Sequence, residues 1–217
     1  MDPNTAAFFR VEGTLTSRPT LMAAGWLAAN SQTLAHRLTR LGAVAMSAPF
    51  SLGGDPTLAT RMAWLGLRGM TEDRLVVLGE EYWATYLEDS LLPVGLDLVQ
   101  RAKRDGRRIV LISDNLSEVM APLKNHLGAD NIFCNRMELR NSVATGRLVE
   151  PVISRVGGAW LREFAGEHSV DLQGSCGYGA SSSDSMMLSA VGMPCAVHPD
   201  RGLRRIARDL DWPVVEA

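Results

Sequence analysis

Short apolar runs alternate along this chain with segments whose apolar residues recur at helical spacing. The first run is Ala6 to Val11. The second, Arg108-Ile109-Val110-Leu111-Ile112, is continuously apolar after its first residue, as expected of a strand buried on both faces. Gln173 to Tyr178 and Pro194 to Val197 are the third and fourth. Trp212-Pro213-Val214-Val215 predicts a final edge strand, where proline is tolerated. Between the runs, Leu96, Val99 and Ala102 predict a helix over Gly95 to Asp105. Ser117 to Leu127 repeats the spacing, with Ser117 as its expected cap, and Arg201 to Leu210 forms another. Strands alternating with helices predict an α/β domain with a largely parallel sheet.

Two stretches depart from that alternation. Thr16 to Leu92 contains no convincing strand, and its apolar residues fall on helical faces: Leu34, Leu38 and Leu41, then Leu75, Leu78, Tyr82 and Tyr86. Gly53-Gly54-Asp55-Pro56 and Gly69-Met70-Thr71-Glu72 break it into helices, with Thr71 as a helix start. The expected division is a core of residues 1–15 and 93–217 interrupted by a helical insertion, 16–92. Asn131 to Val152 reads as a β-hairpin: Ile132-Phe133-Cys134 and Met137-Glu138-Leu139 lead to a turn, and Thr145 to Val149 return.

Composition narrows the function classes. A length of 217 residues suits one domain with an insertion, and 46% apolar residues suffice for a core. The net charge of -2 gives no electrostatic reason to expect nucleic acid. Cys134, Cys176 and Cys195 form no Cys-x-x-Cys pair and predict buried free thiols. No signal-peptide pattern opens the chain, and no apolar run approaches the roughly 18 residues needed to span a membrane. A soluble cytoplasmic protein is the expectation. His36, His126, His168 and His198 show no metal-ligand spacing. Arg37 and Arg40, then Arg201, Arg204 and Arg205, read as solvated helix faces. Trp26, Met46, Phe50, Met62, Trp64, Leu65, Leu67 and Met70 make the insertion rich in large apolar groups. They are read as internal packing or, alternatively, as a docking surface for a partner or a homodimer in which Trp64 takes part.

The motifs carry more. Phe8-Phe9-Arg10-Val11-Glu12-Gly13-Thr14-Leu15 is an apolar strand running into a tight turn. Leu111-Ile112-Ser113-Asp114-Asn115 is a strand that ends on a hydroxyl. Gly177-Tyr178-Gly179-Ala180-Ser181-Ser182-Ser183-Asp184 leads into a helix through Met187-Leu188. With Gly69 to Asp73, Glu80 to Trp83, Thr145 to Leu148 and Ala196 to Leu203, these strings in this order resemble the haloacid dehalogenase (HAD) superfamily, and within it the phosphoserine-phosphatase-like subfamily. The resemblance implies a HAD-like Rossmannoid parallel sheet, with 16–92 as a helical cap and a small β-hairpin. Such open sheets bind ligands beyond the carboxyl ends of their strands, which is where Arg10, Ser113 and Ala180 would lie.

The same resemblance assigns roles to positions. The first motif of the family is Asp-x-Asp-Gly-Thr, whose first Asp attacks phosphorus and whose second handles the proton. Here those positions hold Arg10 and Glu12. A guanidinium has no nucleophilic lone pair and stays charged. Ser113 keeps the phosphate-binding hydroxyl. The lysine position lands on Gly157 or Gly158, with Arg155 the nearby cation, and Lys124 is the last lysine of the chain. Ala180 takes one acidic position of the last motif and Asp184 keeps the other. Mg²⁺ requires oxygen ligands, so its binding is expected to be weak or absent, with Arg10 paired to Asp184, Glu12 or Asp114 in its place.

Two readings of function follow. In the first, the protein is catalytically degenerate and binds a protein partner or a small anion, the anion cradled by Arg10, Ser113, Arg155, Ser181, Ser182 and Ser183. In the second, Glu12, Asp114 and Asp184 perform altered, metal-independent chemistry in the same pocket. Neither nucleic acid nor membrane is an expected partner.

Overall fold

In the computed structural model, residues 4–30, 38–39, 41–46, 56–149 and 158–216 are described. Six strands form one sheet in the order β3-β2-β1-β6-β7-β8, and every pairing in it is parallel. They are β1 Ala6–Arg10, β2 Arg108–Leu116, β3 Asn131–Asn135, β6 Cys176–Gly179, β7 Met193–Val197 and β8 Val214–Val215. Strand β4, Met137–Arg140, pairs antiparallel with β5, Val143–Leu148, in a separate two-stranded hairpin.

The sheet corrects one boundary of the sequence reading. Ile132-Phe133-Cys134 belongs to the edge strand β3, with Val110 opposite Asn131 and Ile112 opposite Phe133, and is not a limb of the hairpin. The hairpin is only Met137–Leu148. Ser117 does not cap the helix Ser117–Leu127; the cap position is Leu116, and the Ser117 hydroxyl bonds to Glu118. The Thr71 start stands, since its side chain accepts from the Arg74 amide at 3.4 Å.

Alternation along β1 sends its side chains into two apolar layers. Ala7, Phe9 and Val11 enter the layer on the side of the inserted helices, while Ala6 and Phe8 enter the other. Phe9 stacks on Tyr178 at 4.5 Å, and Phe8 meets Phe164 edge-on at 5.9 Å. Cys195 is buried on β7, but Cys134 and Cys176 are only partly buried, which corrects the expectation of three buried thiols.

Between β1 and β2 the described residues include the helices Thr20–Ala29, Pro56–Leu65 and Glu72–Tyr82, then a π-helical turn at Trp83–Leu87 and the helix Pro93–Arg104 that leads back to the sheet. Trp64, Leu67, Leu75, Leu78 and Tyr82 lie in the same apolar layer as Phe9 and Leu111. Trp64 is 0% exposed, so it cannot contribute to a docking surface as the sequence reading allowed. Met46 and Leu65 are exposed; Phe50 and Leu34 lie outside the described residues. The insertion is tied to the sheet domain by Leu92 N–H donating to Leu15 O at 2.9 Å, and its two ends are tied to each other by the Thr16 and Ser90 hydroxyls at 2.6 Å. It is also laced to the hairpin, where Gly69 N–H donates to Ala144 O, Ala144 N–H to Met70 O and Glu72 N–H to Ser142 O. Among the described residues, no helix is long and apolar enough to cross a membrane.

Candidate active site

Parallel register brings three strand ends together. Arg10 closes β1 opposite Ile112 of β2, and Phe9 lies opposite Tyr178 of β6. The chain turns sharply after Val11. Gly13 has φ +80°, and a Cβ there would stand 2.6 Å from the Ala180 Cβ, so the turn requires glycine both for its backbone and for its closeness to β6. Pairing between β2 and β3 slips between Ile112 and Leu116. That irregularity re-aims Ser113, Asp114 and Asn115 at the mouth of the sheet.

Arg10 occupies the centre with 12% of its side chain exposed. Its Nη2 donates to Asp114 Oδ2 at 2.6 Å and lies 3.6 Å from Glu12 Oε2. Its Nε lies 3.0 Å from Asp184 Oδ1, an ionic contact without the alignment of a hydrogen bond. Burial works against the guanidinium charge, but Asp114, Asp184 and Glu12 together outweigh it and hold the group above its ordinary value.

Glu12 turns its Oε1 to three donors: Ser113 Oγ at 2.5 Å, Asn115 Nδ2 at 2.9 Å and Thr20 Oγ1 at 3.3 Å. Burial nevertheless pushes its carboxyl above the usual range; Arg10 opposes the rise and Asp114 adds to it. Asp184 folds back on its own loop, where its Oδ2 accepts the Ala180 and Ser181 amides, both at 2.9 Å. The Ser182 amide donates to Asp200 at 3.1 Å, and the Ser181 and Ser183 hydroxyls pair at 2.5 Å.

The contacts therefore bring Arg10, Glu12, Ser113, Asp114 and Asp184 into one cluster. The serine loop differs from the expected open cradle. The Ala180, Ser181 and Ser182 amides already point at internal carboxylates, and an incoming anion would have to displace those bonds. Arg155 and Gly157 lie outside the described residues, and Gly158 begins the helix Gly158–His168. His198 sits at φ +44°, its amide donating to Val215 O, away from the Arg10 cluster's contacts.

Sequence reasoning missed four contributors. Asn115 and Thr20 hold Glu12, Asn135 donates to the Asp114 carbonyl at 2.7 Å, and Asp200 both caps the last helix and holds the serine loop. Only Asp200 had a usable signal, an acidic residue directly before a helical run. Among the described residues, no three His, Cys, Asp or Glu side chains are arranged to share a metal ion. Among the described residues, one guanidinium faces three carboxylates, an excess of negative charge when they are ionised.

A family model described as haloacid dehalogenase-like hydrolase matches residues 7–189. The chain belongs to the HAD-like hydrolases. A phosphoserine phosphatase of Mycobacterium tuberculosis is 29% identical over 220 residues, covering 99% of this chain and 71% of that protein. An inhibition of morphological differentiation protein of Streptomyces azureus is 29% identical over 222 residues, covering 99% and 79%. The solved structure of a protein of unknown function from Bordetella pertussis Tohama I superposes with a TM-score of 0.83 at 22% identity, covering 98% of both chains. This HAD-like chain thus has phosphoserine phosphatases among its relatives, and the parallel sheet is the fold of the family.

Proposed function

We propose that this HAD-like protein binds a ligand or protein partner and does not release phosphate through an aspartyl intermediate. One observation carries the reading: the Arg10 guanidinium ends β1 between Asp114 and Asp184, at 2.6 and 3.0 Å. An attacking carboxylate is required there, and a guanidinium offers no lone pair. The same contacts argue against Mg²⁺. A hard divalent cation needs several oxygen ligands at about 2.0–2.1 Å, and here a fixed cation already engages the two carboxylates best placed to supply them. The residues do not fit the metal, and the inserted helices are read as a cap over a pocket in which Arg10 takes the place of the metal's positive charge.

Loss of one member of a catalytic unit typically costs on the order of 10⁴–10⁶ in rate. The purified protein is therefore expected to release no phosphate above blank from phosphoserine or p-nitrophenyl phosphate, with or without MgCl₂. Mg²⁺-dependent release that Glu12→Gln or Asp184→Asn abolishes would overturn the proposal.

One observation favours a second reading, in which the pocket performs metal-independent acid–base chemistry. Burial raises the Glu12 carboxyl while Ser113 and Asn115 hold it in place, a combination suited to a proton donor. Turnover of any substrate that survives Glu12→Gln with its pH profile unchanged would remove this reading.

A further inference from the structure

A cavity of about 220 Å³ opens beside the Arg10 cluster, between the helices Thr20–Ala29 and Pro56–Leu65. Pro19, Leu21, Ala59 and Ala63 supply apolar walls, Thr20 a hydroxyl, and Asp114 the charge. We propose that this cavity takes a small aliphatic ammonium ion, its cationic head on Asp114 and its short apolar body against Leu21, Ala59 and Ala63. The proposal rests on the reading of the protein as a binding protein and names the ligand class of that pocket.

Three properties of the site point the same way. Asp114 spends only one oxygen on Arg10; its Oδ1 is buried and has no hydrogen-bond partner. Buried acceptors left bare are costly, and a charged donor satisfies them best. In the adjoining Arg10 cluster, the Asn115 side-chain oxygen and Glu12 Oε2 also lack hydrogen-bond donors. Among the described residues, Arg10 is the cation that faces Glu12, Asp114 and Asp184, and protonation of Glu12, which burial favours, still leaves two carboxylates to this one guanidinium.

Competing ligands fit less well. An anion would meet like charge, and the Ala180, Ser181 and Ser182 amides that would hold it are already engaged. A divalent cation would find, among the described lining residues, a single carboxylate, Asp114, beside the Thr20 and Thr60 side chains, too few oxygens to replace its hydration shell. A neutral alcohol would satisfy the hydrogen bond without touching the charge imbalance. The volume lies below the roughly 300–1,000 Å³ of pockets for drug-sized ligands, which restricts the occupant to a short chain.

The experiment titrates the full chain with n-butylamine hydrochloride, n-butanol, sodium butyrate and MgCl₂ near neutral pH. Binding is read by calorimetry and by saturation-transfer NMR. Butylammonium is expected to bind saturably and at least about tenfold more tightly than the other three probes. Asp114→Asn should weaken it by about tenfold or more. Ala59→Leu, which fills the cavity without touching the ion pairs, should abolish it, and this variant decides the matter if Asp114→Asn does not fold. Equal affinity for butanol and butylamine, preference for butyrate or Mg²⁺, or unchanged binding in Ala59→Leu would each overturn the proposal. Phosphate release measured on the same samples keeps the two readings apart. Turnover would sink the binding-protein reading, whereas absence of amine binding would sink only this one.

Discussion

At the residue scale, Arg10 decides what the pocket can do, and its removal is the most direct perturbation. Arg10→Met would leave the buried Asp184, 5% exposed, and the partly buried Asp114 without their cation. Breaking one partner of a buried pair typically costs about 3–5 kcal/mol, and urea denaturation of the variant should show a loss of that order. A loss within about 0.5 kcal/mol, the range of ordinary surface substitutions, would mean that the cluster is solvated. Glu12 gives a pH signature. Its folded carboxyl titrates above the unfolded one, so the folded state binds the extra proton. The associated stability is full below the unfolded value and is lost as pH rises through the folded one. Glu12→Gln should therefore flatten the decline of urea midpoint with rising pH above the ordinary carboxylate range, and an unchanged profile would contradict the raised titration. The partners of Arg10 were legible in the sequence because strand ends in a parallel sheet converge. The hold of Asn115 and Thr20 on Glu12 was not, because it depends on the register slip after Ile112 and on where the first inserted helix lies.

Elements were legible to the extent that their spacing was distinctive. The continuous apolar run from Ile109 to Ile112 announced a central strand, and β2 lies between β1 and β3. Ile132-Phe133-Cys134 is too short to show a period, and with Met137 close behind it looked like one limb of a hairpin. What makes it an edge strand is its parallel register on Val110 to Ile112, a tertiary fact. Helix contacts were equally hidden. The helix Glu72–Tyr82 approaches Ser117–Leu127 so closely that a Cβ on Gly79 would stand 2.2 Å from the Glu118 carbonyl oxygen. Helix propensity alone would favour Gly79→Ala by about 1 kcal/mol. The contact reverses the sign: the helices must separate, at a cost of about 1–3 kcal/mol for overpacking. A lower melting temperature for Gly79→Ala is expected, and a higher one would show that the two helices do not meet this way.

At the scale of the whole molecule, the question is whether the inserted helices move independently of the sheet. Trp64, Leu67, Leu75, Leu78 and Tyr82 are each at most 1% exposed and share one apolar layer with Phe9 and Leu111 of the sheet. Burial of a large apolar side chain contributes about 1.5–3 kcal/mol, so separating this face from the sheet would forfeit roughly 10 kcal/mol. That is comparable with the entire stability of an ordinary domain, about 5–15 kcal/mol. The bonds from Gly69, Glu72 and Ala144 at one end and from Leu92 at the other add to the resistance. Insertion and sheet should therefore unfold together. Trp26, Trp64 and Trp83 belong to the insertion, so tryptophan fluorescence reports mainly on it, whereas far-UV circular dichroism reports on the whole chain. The two urea transitions should coincide, and amide exchange in Glu72–Tyr82 should approach the slowest rates of β1 and β2. A fluorescence transition at lower urea, with the sheet amides still protected, would instead make the insertion a separately opening lid.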